Sequence, residues 1–172
     1  DFPQTLQLKD NSTVLSKQLK PSGRCDLQRY NQRHSSRRRI QILSWNVGGL
    51  SQARLDEVRL WALEQQIGIT ALLETRWPWV SEWEDEKFLY VHSGKPGDRS
   101  CGILIMIAKW LCPSSNLRWI ESVPGRLVHM QLRIQPRPLD FVACYQFCFA
   151  PTQARLQERK RWWDQFSALV GN

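Results

Sequence analysis

Apolar and polar positions alternate from Ile40 to Val47, with Leu43, Trp45 and Val47 on one face and Ile40 and Ile42 on the other. That period of two predicts a strand, and Gly48-Gly49 ends it. Ser51 then fits a helix N-cap, and Leu55, Val58, Trp61, Ala62 and Gln65 follow at helical spacing. Asp56 and Glu57 suit the start of the helix dipole, and Gly68 suits its stop. Ile69 to Leu73 is the next strand. A strand, a helix and a strand joined this closely predict a right-handed βαβ unit with parallel strands.

The pattern then changes. Phe88–His92, Gly102–Ala108, Leu117–Val123, Leu127–Ile134 and Leu139–Tyr145 read as short strands parted by turn-rich pieces such as "SGKPGDRSCG" and "QPRP". No helical period intervenes, so these strands are expected to be antiparallel neighbours. "SGKPGDRSCG" reads as a hairpin loop in which Lys95 and Arg99 face a nucleic-acid backbone. It lacks the order of a phosphate-cradling P-loop and precedes a strand instead of a helix. A last helix fits Thr152–Val170, with Leu156, Trp163, Phe166 and Val170 inside and Arg159 to Arg161 on the solvated face. The sum is an α+β fold.

Charge separates the first 39 residues from the rest. Residues 1–39 hold nine Lys/Arg against three Asp, a net of +6, whereas residues 40–172 hold fifteen against thirteen, a net of +2. The basic segment lacks a sustained period and reads as a disordered tail, with a short helical stretch around Val14 to Leu19. Such a tail would hold phosphates through counterion release, or serve as a solvated linker. The 133 residues that follow, 42% apolar over the whole chain and including all nine tryptophans, suffice for one core.

Five cysteines (Cys25, Cys101, Cys112, Cys144, Cys148) form an odd set without paired CxxC spacing, which points to reduced thiols in an intracellular protein. The longest apolar run, Ile103 to Ala108, is strand-sized, so no membrane span is expected. The chain opens on Asp1 without a charged-then-apolar leader and reads as a piece of something longer.

Two polar residues stand at strand ends. Asn46 closes the first strand and Glu74 closes the second, one βαβ unit apart. Ligand groups in such sheets come from the carboxyl ends of strands, where loops diverge. An amide oxygen and a carboxylate are hard-oxygen ligands of the kind Mg²⁺ prefers. His34, His92 and His129 lack the spacing of a zinc site. Spacing alone leaves a plainer alternative open: a turn asparagine before Gly-Gly, and a glutamate at the first solvated position after a strand.

In order and spacing, "ILSWNVGGL", "ALLETRW", "CGILIMI", "GRLVHMQL" and "FVACYQF" resemble the endonuclease/exonuclease/phosphatase family. The likeness is strongest to the apurinic-type endonuclease domains of non-LTR retrotransposons. It covers residues 40 to about 170, roughly the first half of such a domain, so residues 40–172 are expected to be its N-terminal half. The resemblance implies a two-sheet β-sandwich flanked by helices (an α/β sandwich), here truncated after the first half. It implies Mg²⁺, with Mn²⁺ as a substitute, held by Glu74 and Asn46. Asn46 would also help position the phosphate, and Tyr145 would contact the scissile phosphate through its hydroxyl. DNA is the implied partner, with nuclear access if that DNA is chromosomal; no membrane or small-molecule cofactor is implied. The unfinished sandwich suggests self-association.

The chain also departs from the family. The Asp of a Gly-Asp-x-Asn motif and a later Asp-His pair, which serve as base, belong to the second half and are missing from this sequence. After the tyrosine the family more often has a Pro or a His-like polar residue, and Phe147 cannot donate to a phosphate. The expectation is a Mg²⁺-dependent DNA-nicking endonuclease of very weak activity as given. A remnant that binds nucleic acid without cutting it is the alternative, suggested by the basic tail and by Trp77 and Trp79, read as exposed. A phosphatase- or lipase-like member of the same superfamily also stays open, since loops set substrate choice.

Overall fold

The computed structural model describes residues 39–171; most of the basic tail, including the helical stretch expected around Val14 to Leu19, lies outside them. The fold is α+β, with two helices, a mixed five-strand sheet and a three-strand antiparallel sheet among the described residues.

Chain order is β1 (Ile42–Asn46), α1 (Gln52–Glu64), β2 (Ile69–Leu73), β3 (Ser81–Glu84), β4 (Phe88–Lys95) and β5 (Asp98–Ala108), then β6 (Leu117–Val123), β7 (Leu127–Leu132), β8 (Leu139–Cys144) and α2 (Gln153–Val170). The large sheet runs β1-β2-β5-β4-β3, and the small one β6-β7-β8. β1 and β2 pair in parallel, Asn46 opposite Leu73, as the βαβ reading requires. β2 pairs antiparallel with β5, and all the later pairs are antiparallel too. β4 and β5 form the expected hairpin, with Lys95 opposite Asp98 across its turn.

Strand alternation sorts the core into two layers. Leu43, Leu72, Tyr90, Leu104 and Met106 face α1 and pack on its Leu55, Val58 and Ala62. Ile69, Val91, Ile103, Ile105 and Ile107 face the opposite way, against Val128, Met130, Leu132 and Ala143 of the small sheet. β2 and β5 are apolar on both faces because they are covered on both.

Four expectations are corrected. α1 does not stop at Gly68. It ends at Glu64 with Gln65 as C-cap, and Gln66 takes the left-handed conformation (φ 54°). Ile67 N donates to Ala62 O (2.9 Å) and Gln66 N to Leu63 O (3.2 Å), a Schellman closure. Gly68 is needed for packing instead, since a Cβ there would lie 3.0 Å from Leu111 and 3.1 Å from Ile40.

Asp56 and Glu57 sit beyond the first turn of α1, too far in to meet the dipole; Asp56 accepts from Gln52 (3.2 Å). The inner residue of α2 is Trp162 (3% exposed), not Trp163 (50%), and Leu156 and Val170 are also exposed. Arg159 belongs to the packed side, where its guanidinium donates to Phe147 O. β3 was not expected: its Ser-Glu-Trp-Glu run is half-exposed at the sheet edge, where Trp83 stacks on Tyr90 (4.9 Å). The remaining strand bounds shift by a few residues at most, apart from a longer N-terminal extension of β5 and a longer C-terminal one of β4.

Candidate functional site

The parallel pairing of β1 and β2 carries both strand tips to the same end of the large sheet. Val47 N donates to Leu73 O (2.9 Å), Gly49 N to Glu74 O (2.8 Å) and Leu50 N to Thr75 O (3.0 Å), so the two outgoing loops remain zipped together. Across this seam Asn46 Nδ2 donates to Glu74 Oε2 (3.1 Å). Asn46 Oδ1 is turned the other way and accepts from Gly48 N (3.0 Å), an Asx turn that fixes the amide's orientation.

Tyr145 arrives from the other sheet. It follows β8 on the inward face, and its hydroxyl donates to the same Glu74 Oε2 (2.9 Å). Asn46, Glu74 and Tyr145 are therefore brought together, from positions 28 and 71 residues apart along the chain.

Three residues that the sequence did not single out complete the surroundings. Arg76 Nη2 donates to Glu74 Oε1 (2.7 Å) in an ion pair, while its own side chain stays half open to solvent (51%). Arg126 is almost wholly buried. Its guanidinium lies over the rings of Phe147 (4.0 Å) and Tyr145 (5.4 Å), and donates to Ser100 Oγ (2.9 Å). Its carbonyl accepts from Tyr145 N (2.8 Å), so it backs the tyrosine through both ring and main chain. His92, hydrogen-bonded to Thr75 next to Glu74, is the third. A basic residue two positions after the glutamate was the available signal for Arg76; nothing in the hydropathy pattern marks the other two.

These contacts set the charge states. The Arg76 guanidinium holds the Glu74 carboxyl below its ordinary value; burial works against this, and the Tyr145 and Asn46 hydrogen bonds reinforce it. Burial, then the adjacent Glu74 carboxylate, pushes the Tyr145 hydroxyl up to about 12. At neutral pH the site is one carboxylate ringed by donors. His129 and Asp140 also pair (2.9 Å), but they alternate onto the outer face of the small sheet, away from Tyr145.

A scan against protein-family models matches none, and no curated protein matches the chain.

The donor set can be tested against Mg²⁺. That ion takes one or two carboxylates and fills its shell with water and phosphate oxygens. Glu74 offers one ionised carboxylate at a strand end, with Oε1 paired to Arg76 and Oε2 shared by Asn46 and Tyr145, and Asn46 Oδ1 is engaged with Gly48; an ion here would be held mainly by Glu74 and would displace some of these partners. The sequence predicts Trp77 and Trp79 to be exposed aromatics. Trp79 is, at 48%, but Trp77 is half-buried and donates from Nε1 to Leu50 O (2.7 Å). Among the described residues Cys101, Cys112, Cys144 and Cys148 are free, and no helix is long and apolar enough to cross a membrane.

Proposed function

We propose that the strand-end site belongs to a Mg²⁺-dependent phosphodiester-cleaving domain that nicks DNA. The observation that carries this reading is the convergence of Asn46 and Tyr145 on a single oxygen of Glu74. Two neutral donors trained on an anionic oxygen suit a place where a phosphate and a cation meet, because donors placed to serve a carboxylate oxygen also serve a phosphate oxygen brought to the same spot.

Glu74 would hold the ion, which when bound supplies a Lewis acid at the phosphoryl oxygen. Tyr145, whose hydroxyl keeps its proton at neutral pH, donates to the phosphate. Asn46 donates from Nδ2 on the other side, its orientation already fixed by Gly48. Together they hold the phosphodiester in line for attack. Arg76 adds positive charge at the same edge.

The test is supercoiled-plasmid nicking by the 172-residue chain with and without Mg²⁺. Nicking that needs Mg²⁺ and disappears in Glu74→Ala is the expected result; equal nicking by the variant refutes the reading. One observation favours the alternative of binding without cleavage: the Glu74 carboxylate is already paired with Arg76. A folded chain that binds DNA in a salt-dependent way and never nicks it would decide for that alternative.

A further inference from the structure

His92 lies within β4 and is completely buried (0% exposed). Its ring joins the two ends of the loop that follows Glu74. Nδ1 lies 2.7 Å from Trp79 O, and because a carbonyl can only accept, the ring proton sits on Nδ1. Nε2 is thereby left as an acceptor, and the Thr75 hydroxyl donates to it at 2.9 Å. The rings of Trp77 and Trp79 cover the imidazole, with centroids 5.2 and 6.1 Å away.

Two glycines shape the seat for this loop. A Cβ on Gly102 would lie 2.2 Å from Thr75 Oγ1, and one on Gly94 would lie 2.2 Å from Trp77 O and 2.5 Å from Trp79 O. Thr75 N donates to Gly102 O (3.1 Å) and Arg76 N to Cys101 O (3.0 Å). The residues on both sides of Thr75 are left-handed, Glu74 at φ 59° and Arg76 at φ 64°. Side-chain-bearing residues hold such angles only where their surroundings impose them. Here the surroundings are the contacts of Thr75 together with the Gly49 N–Glu74 O and Arg76 N–Cys101 O bonds on either side of it.

We propose that His92 and Thr75 act as a positioning pair, pinning the backbone beside Glu74 so that its carboxylate is aimed at the cation and the Arg76 guanidinium at the same edge. The inference rests on the reading of Glu74 as a cation ligand. His92 touches neither phosphate nor ion; it acts through Thr75. The arrangement is that of an outer residue that orients a metal-holding carboxylate.

The experiment titrates Mn²⁺ into the full 172-residue chain without nucleic acid, and records backbone Cα and Cβ chemical shifts of Glu74 and Arg76 in the metal-free protein. Thr75→Val removes the hydroxyl at nearly constant shape and should weaken Mn²⁺ binding by ~10-fold, while Thr75→Ser stays within about twofold of the parent chain. The shifts that mark left-handed backbone should be lost in Thr75→Val and kept in Thr75→Ser. A merely structural hydroxyl would lower the melting temperature and leave the affinity of the folded molecules unchanged; that result overturns the proposal. Should the valine variant not fold, Thr75→Ala is read by the same two measurements. Failure of the underlying reading looks different: Glu74→Gln would then bind Mn²⁺ like the parent chain, and the metal-free shifts would still decide whether the pair imposes the backbone.

Discussion

Burial, more than its hydrogen bonds, keeps His92 neutral in the folded protein. Burial pushes its pKa down from 6.5 to about 4, and the bond to Trp79 O only partly offsets that. The unfolded chain therefore accepts a proton that the folded protein refuses. Stability is full above pH 6.5 and falls as the pH drops towards about 4, a loss of roughly 3 kcal/mol in all. The depressed Glu74, Asp85 and Asp98 carboxyls act in the same direction, their stabilisation present above their ordinary values and lost further into acid. Denaturant midpoints measured between pH 7 and about pH 5 should already decline; a flat profile would contradict the sealed histidine. Gly94 gives a sharper test. Gly94→Ala drives a Cβ into two main-chain carbonyls and should cost about 2 kcal/mol or more by chemical denaturation. Asn46 and Glu74 were legible in the sequence because polar residues at the ends of apolar strands break a pattern. Tyr145 needed the family resemblance, and His92 escaped altogether. In "FLYVH" it reads as one more strand position, because a hydropathy pattern does not say which carbonyl a buried ring will meet.

Among elements, strands were the most legible. β2 and β6 match their expected bounds because each is a short apolar or alternating run between clear breaks. β3 was missed because its two glutamates, suited to an edge strand, lower its strand signal. α1 ends four residues before the glycine expected to stop it, since packing at Gly68 outweighed capping. In α2 the error was one of phase: "RWWDQF" offers two adjacent tryptophans, and a helix of this length buries only one of them deeply. Trp162 stacks on Phe166 (5.4 Å), and Trp163 meets the same ring edge-on from outside. Trp162→Ala should therefore cost about 3 kcal/mol or more, and Trp163→Ala less than about 1 kcal/mol, as read from thermal or denaturant unfolding. Equal effects would mean that the helix sits in a different rotation.

At the scale of the molecule, the two stacked sheets follow from strands that are apolar on both faces in the middle of the large sheet and on one face in the small one. The α+β class was thus open to sequence reasoning. The seam between the sheets was not, because alternation gives faces without saying which face meets which. Charge is the other global property. Most of the excess sits in residues 1–39, so deleting them should weaken DNA binding and flatten its dependence on salt. Unchanged binding would make the tail a linker.

The shared oxygen of Glu74 also has a history in time. Its partnership with Asn46 spans 28 residues and comes with the β1–β2 pair, whereas that with Tyr145 spans 71 and waits for the second sheet to stack. In the order of synthesis Asn46, Glu74 and the His92, Cys101 and Gly102 contacts that shape the Glu74 loop all precede Tyr145, so the carboxylate's last donor is also the last one made.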